Sequence, residues 1–415
     1  MIEGNQANRL AATRRKSLLL ARGLSDADAT IQPMPDASPA KWHLGHTTWF
    51  FETFVLRDMV AGYELFHPDW PYLFNSYYEA EGARLLRSRR GMLSRPSLDE
   101  VLMYRQHVDK HMLASTCELG DEAANLLELG IHHEQQHQEL LLTDILCSLS
   151  LNPLKPTFSS PAKRNAEASS PQEVKWIEFE GGIVEVGNNG ANFCFDAEGP
   201  RHQVLLRPFA LANRCVTNRE WECFIAAGGY QKPLHWLSDG WAWIRENMIE
   251  APLYWGERDG EGRRAYTLSG EVLLDPEAPV SHVSLYEADA FAAWAGARLP
   301  TEHEWEWAAR DADPLSGNQL DEGETVMPAP AQGVGLQQLY GDVWEWTGSA
   351  FRPYPGFRIV DGAVGEYNGK FMSGQFVLKG ASCATPRGHS RASYRNFFYP
   401  HQRWQFCGLR LAKDI

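Results

Sequence analysis

Nowhere in this chain of 415 residues do eighteen apolar residues run together, so no segment reads as a membrane-spanning helix. Nor is there a long run of lysine or arginine. With a formal net charge of −14, a surface for nucleic acid or another polyanion is not expected, whereas a small cationic substrate would be welcome. No C-x-x-C pair occurs. The seven cysteines (Cys117, Cys147, Cys194, Cys215, Cys223, Cys383, Cys407) are odd in number and scattered, which argues against a disulfide framework and a cysteine-based zinc site. The start, "MIEGNQANRLAATRRKSLLL", has basic residues but no apolar core or small-residue cleavage site behind them, so a soluble, cytoplasmic protein is expected. Repeats of solenoid type are also absent.

What is present fits two domains. The length exceeds one ordinary domain, and 44% apolar residues can fill two cores. Residues 1–150 read as a four-helix bundle. "NQANRLAATRRKSLLLARGL" is helical in spacing and stops at Gly23, and in "SPAKWHLGHTTWFFETFVL" Ser38 suits the N-cap and Pro39 the first helical position. In the third helix, Ser97 and Glu100 form a capping box and Val101, Tyr104 and Val108 share a face. The fourth, "DEAANLLELGIHHEQQHQELLLTDILCSLS", contains Gly130 at a propensity cost of about 1 kcal/mol. Residues 151–173, rich in Pro, Ser and Ala, read as a linker. Residues 174–415 alternate short β-prone runs with Gly-rich turns, many Trp and a few helical segments, the pattern of an α+β domain.

Within "IHHEQQHQEL", His133 and His137 stand one helical turn apart, a spacing that suits one metal ion and also matches the H-E-x-x-H string of zinc proteases. A protease needs a third ligand downstream, and here the text runs into the linker. Upstream, "WHLGH" offers His43 and His46. A bundle can project His46, His133 and His137 into one internal three-histidine site with open coordination positions. An i,i+4 histidine pair also occurs on packed or solvated faces, and spacing alone does not separate these readings. "YLFNSYYEAEGARLLRSRRG" supplies Tyr77 and Tyr78, then Arg84, Arg87, Arg89 and Arg90: a phenolic proton donor and a carboxylate clamp, or core packing and solvated charge. The aromatic span "YRNFFYPHQRWQF" could hold a quaternary ammonium by cation–π contact, or fill a core.

Taken in order, "KWHLGHTTWFFETF", "YLFNSYYEA", "HHEQQHQELLLTDI", "RLPTEHEWEWAAR", "GDVWEWTGS" and "YRNFF.P..RWQF.G.RLA" resemble the non-haem iron sulfoxide synthases of ergothioneine biosynthesis. The resemblance implies a DinB-like four-helix bundle fused to a C-type-lectin-like domain of the formylglycine-generating-enzyme (sulfatase-modifying-factor) type, with the active site between them. It implies Fe(II) held by His46, His133 and His137, with the glutamate of the string incidental. The implied reaction uses O2 to join a cysteine sulfur to imidazole C2 of hercynine (Nα-trimethylhistidine) as a sulfoxide. It further implies Tyr77 or Tyr78 as the acid, Gln136, Asn396 and Phe397 as hercynine contacts, and Arg87 and Arg90 as holders of the donor's carboxylate. Cysteine is the expected donor, with a selenosugar on the way to selenoneine as the alternative. Only Cys383 lies where formylglycine-generating enzymes carry a cysteine pair, so sulfatase activation is not expected. A zinc hydrolase and a non-catalytic binding module are the remaining classes.

Overall fold

A computed structural model describes residues 4–115, 120–159, 172–322, 325–359, 365 and 369–415; Cys117 and most of the Pro/Ser-rich stretch lie outside the described residues. The chain divides into two compact units, Met1–Leu154 with Asp361–Tyr367, and Lys155–Val360 with Asn368–Ile415.

In the first unit, α1 (Gly4–Ala21) is followed by the single turn α2 (Asp26–Thr30), closed by a capping box between Ser25 and Asp28. Next comes α3 (Ala40–Phe51), every residue of which is buried, the polar Lys41, His43, His46, Thr47 and Thr48 included. It runs on into a π-helical turn, Glu52–Arg57. The helix starts one residue later than the Ser-Pro spacing predicts: Pro39 is the N-cap, because Ser38 is engaged elsewhere, its amide donating to Asp144 Oδ2 (2.7 Å) and its hydroxyl accepting from Arg90. After α4 (Trp70–Phe74), α5 (Leu98–Ser115) begins at the expected capping box, with the Ser97 amide on Glu100 Oε2 at 2.7 Å, and buries Val101, Tyr104 and Val108 completely. The longest helix is α6 (Asp121–Ser150), packed by α1 and α3.

Two glycines let these helices meet closely. A Cβ at Gly130 of α6 would lie 2.4 Å from Phe51 Cε1, so the glycine that weakens the helix locally is what admits the ring. At Gly45 of α3 a Cβ would lie 2.2 Å from Phe74 Cε1, and the cost of a small residue is offset by seating α4 against the helix.

In the second unit, β1 (Trp176–Phe179), β4 (Phe209–Ala212) and β12 (Ala412–Asp414) form one sheet in the order β1-β4-β12, and β2 (Gly182–Val186) pairs with β3 (His202–Leu206). A third sheet is built from β5 (Trp255–Arg258), β6 (Arg263–Thr267) and β7 (Gly270–Leu273). The amides of Phe158 and Ser159 reach its β6–β7 turn at Leu268 O, which ties the start of the linker stretch to this unit. The fourth, ordered β10-β9-β8-β11, comprises β8 (Trp344–Ala350), β9 (Phe376–Gly380), β10 (Asn396–Phe398) and β11 (Cys407–Gly408).

Helices α7 (Asn218–Ala226), α8 (Ser238–Glu246), α9 (Leu285–Trp294) and α10 (Glu302–Ala309) pack among these sheets; α7, α9 and α10 each start at a capping box. The Trp- and Glu-rich strings are structural. Glu345 accepts from Arg410 and from Trp305 Nε1 at 3.0 Å, with Glu345 and Arg410 both fully buried. Glu302 of α10 holds Arg395, the residue before β10. Among the described residues, no helix is long and apolar enough to cross a membrane.

Candidate metal centre

Two helices of the first unit furnish four imidazoles. α3 presents His43 and His46, and α6 presents His133 and His137. His46, His133 and His137 each offer a ring nitrogen, and these nitrogens lie within 4.8 Å of one another. His46 Nδ1 is 2.6 Å from the carbonyl of Phe74. A carbonyl only accepts, so Nδ1 carries the proton and Nε2 is left with its lone pair. His133 Nε2 stands 3.1 Å from that Nε2, a gap bridged by one proton in metal-free protein and open to a divalent cation in its place. Burial keeps the cluster uncharged. It pushes His133 from 6.5 down to about 3, and burial together with the neighbouring His133 holds His46 and His137 well below the usual range. Three neutral imidazoles, His46 and His133 buried and His137 half-buried, fit a first-row transition metal with coordination positions to spare.

Aromatic rings wall the cluster: Trp42 stacks on His46 at 4.5 Å, Trp49 lies 5.6 Å from it, and Phe50 is 4.9 Å from His133. Tyr78 is buried against Trp49 and Phe54, at 5.5 and 5.2 Å, while half-buried Tyr77 stacks on Tyr78 at 4.7 Å. Arg90 is buried with its guanidinium 3.3 Å from the centroid of Trp42. It donates to the hydroxyls of Ser38 and Ser76 (both 2.9 Å). Burial, with Arg87 and Arg84 near it, pulls its pKa well below the arginine range. Arg87 is exposed, and Gln136 is half-buried on α6.

In the second unit, Asn396 and Phe397 open β10 opposite Leu378 and Val377. Phe397 stacks on Phe351 at 4.2 Å, and Asn396 Oδ1 accepts from the Phe397 amide. Cys383 is buried.

Glu134 is not a bystander. Fully buried, it accepts from Arg14 Nη1 (3.0 Å), Arg105 Nη2 (2.6 Å) and Ser17 Oγ (2.5 Å). Burial by itself would raise its pKa, but Arg105 and Arg14 outweigh that and pull it down to about 2. Arg14, shared with Asp109, is held above the usual range despite burial; Arg105, desolvated beside Arg14, falls below it. A carboxylate committed to two guanidiniums is no general base, which removes the zinc-protease reading. The carboxylate locks α6 to α1 and α5, and so sets the rotation of the helix that carries His133 and His137.

Sequence reasoning left His43 and Asp144 without a role. His43 Nδ1 is 2.8 Å from His137 Nδ1, and His43 Nε2 is 3.0 Å from Asp144 Oδ2. The signal was in the text: Asp144 follows His137 by seven residues, two helical turns, so both lie on one face of α6.

Residues 9–141 match the DinB superfamily, and residues 160–329 and 316–415 match the sulfatase-modifying factor enzyme 1-like domain. The hercynine oxygenase of Mycobacterium tuberculosis is 34% identical over 430 aligned residues, covering 98% of each chain. That of Mycolicibacterium smegmatis is 33% identical, covering 99% of this chain and 98% of its own. Over 43% of this chain, the formylglycine-generating enzyme of Thermomonospora curvata is 32% identical, with 72% of its own length covered.

Proposed function

This chain belongs to the hercynine oxygenase family, and from that premise we propose that it is an O2-dependent, non-haem Fe(II) sulfoxide synthase that couples cysteine to hercynine. The reading is carried by the convergence of the His46, His133 and His137 nitrogens. In the proposed reaction the C2–H and S–H bonds are lost, a C–S bond forms and the sulfur gains one oxygen. Four electrons reduce O2, and its second oxygen leaves as water. Fe(II), when bound, supplies the site at which O2 is reduced.

The chain's own residues do the rest. His46, His133 and His137 hold the ion without adding charge, so an anionic thiolate is attracted to it. Arg90, buried and hydrogen-bonded to hydroxyls near the Asp144 carboxylate, is the residue that would hold a donor carboxylate, with Arg87 three residues before it. Gln136, Asn396 and Phe397 are the residues that the family resemblance assigns to hercynine. Tyr77 or Tyr78 delivers the proton.

The test is anaerobic Fe(II) reconstitution followed by aerobic assay with hercynine and, in separate tubes, L-cysteine, γ-glutamylcysteine or a selenosugar, with mass detection of product. A cysteine sulfoxide is expected. A selenium adduct alone would move the chain to selenoneine formation, and no product from any donor would reject the synthase reading.

A further inference from the structure

Asp144, His43 and His137 form a chain of hydrogen bonds that runs from α6 across to His43 on α3 and back to His137 on α6. The chemistry of the three groups orders the protons along it. The Asp144 carboxylate can only accept; its Oδ2 takes the Ser38 amide at 2.7 Å and faces His43 Nε2 at 3.0 Å. His43 therefore carries its proton on Nε2, and its Nδ1 presents a lone pair. That lone pair is 2.8 Å from His137 Nδ1, which must then be the donor. A neutral imidazole with its proton on Nδ1 has Nε2 free to bind a metal. His43 and Asp144 are buried, so water does not compete for these positions.

We propose that Asp144 and His43 are positioning residues that fix His137 as the Nδ1–H tautomer and orient its Nε2 as a metal ligand. The inference rests on the metal reading above. His137 differs from His46 in kind: the Phe74 carbonyl sets the tautomer of His46 directly, whereas His137 is set by a second imidazole that is itself set by a carboxylate. A relay of this kind stiffens the ring and raises its basicity toward the ion. Ser38 adds a structural link, because the amide just before α3 is held by the same oxygen that orients His43.

Two measurements test this. The first uses the metal-free, full-length protein with 15N-labelled histidine, whose long-range 1H–15N spectrum reports the tautomer of each ring; assignment uses the His43→Asn and His137→Gln proteins. His137 protonated on Nδ1 and His43 on Nε2 are expected, and His137 protonated on Nε2 would overturn the proposal. The second is anaerobic Fe(II) titration by calorimetry of wild type, His43→Leu and His43→Asn, each checked for fold by circular dichroism. Asn can place its amide oxygen near the position of Nδ1 and accept from His137, whereas Leu only fills space. Affinity is expected to fall about 10- to 100-fold in His43→Leu and to stay within about 3-fold of wild type in His43→Asn. Equal losses in both variants, or none in either, would mean that His43 merely packs. A wild-type protein that bound no Fe(II) would reject the metal reading instead, while the tautomer spectrum would still decide the relay.

Discussion

Replacing Glu134 with Gln keeps the volume and removes the charge shared by Arg14 and Arg105. Its size can be reached by two routes. Glu134 titrates at about 2 in the fold against an ordinary 4.5, a difference of roughly 2.5 units, or about 3 kcal/mol of stabilisation by the folded environment. Breaking one side of a buried ion pair typically costs about 3–5 kcal/mol, since the stranded guanidiniums stay buried. About 3 kcal/mol should lower the melting temperature of the first unit by roughly 6–12 °C. The sign with pH also follows: the native carboxylate is depressed, so its contribution is complete above about 4.5 and is lost as pH falls toward 2. Thermal melts of metal-free Glu134→Gln and wild type at pH 7 and pH 3.5 measure both effects, and the gap should narrow at the lower pH. A melting temperature within 2 °C of wild type at pH 7 would refute the anchoring role. A zinc hydrolase using this residue as base would behave differently, losing hydrolysis by about 100-fold or more while its stability stayed put.

His46→Ala should abolish both bound iron, read by plasma mass spectrometry, and sulfoxide formation; full activity would remove His46 from the ligand set. In Gly45→Ala the added methyl meets the Phe74 ring, so despite a helix-propensity gain of about 1 kcal/mol the melting temperature should fall and Fe(II) affinity should weaken through the Phe74 carbonyl that holds His46. His133, at about 3 in the fold against 6.5 unfolded, lets the unfolded chain take up the proton first. Metal-free stability should therefore drop by about 2 kcal/mol from this group between pH 7 and pH 5, and urea midpoints should show that part of the slope missing in His133→Gln. Tyr77→Phe and Tyr78→Phe, assayed singly, should differ: the variant that loses sulfoxide yield identifies the acid, and full yield in both would exclude either tyrosine.

Much of the fold was legible because its signals are local. The capping box at Ser97 and Glu100, the stripe Val101, Tyr104 and Val108, and the change of texture after residue 150 depend on neighbours a turn or two away. The Ser38 cap was misread because the partner on its hydroxyl, Arg90, is 52 residues distant.

The sequence by itself determined the family, the order of the two domains and the two helices that carry the metal-site histidines, since 3.6 residues per turn fixes which residues share a face. Only the tertiary structure decided what those faces meet: that Glu134 is consumed by two arginines, that Arg90 lies on Trp42, and that His43 links Asp144 to His137. Those pairings depend on the rotation and axial offset of one helix against another. Both are set by close packing at residues such as Gly45 and Gly130, and no spacing along a single helix encodes them.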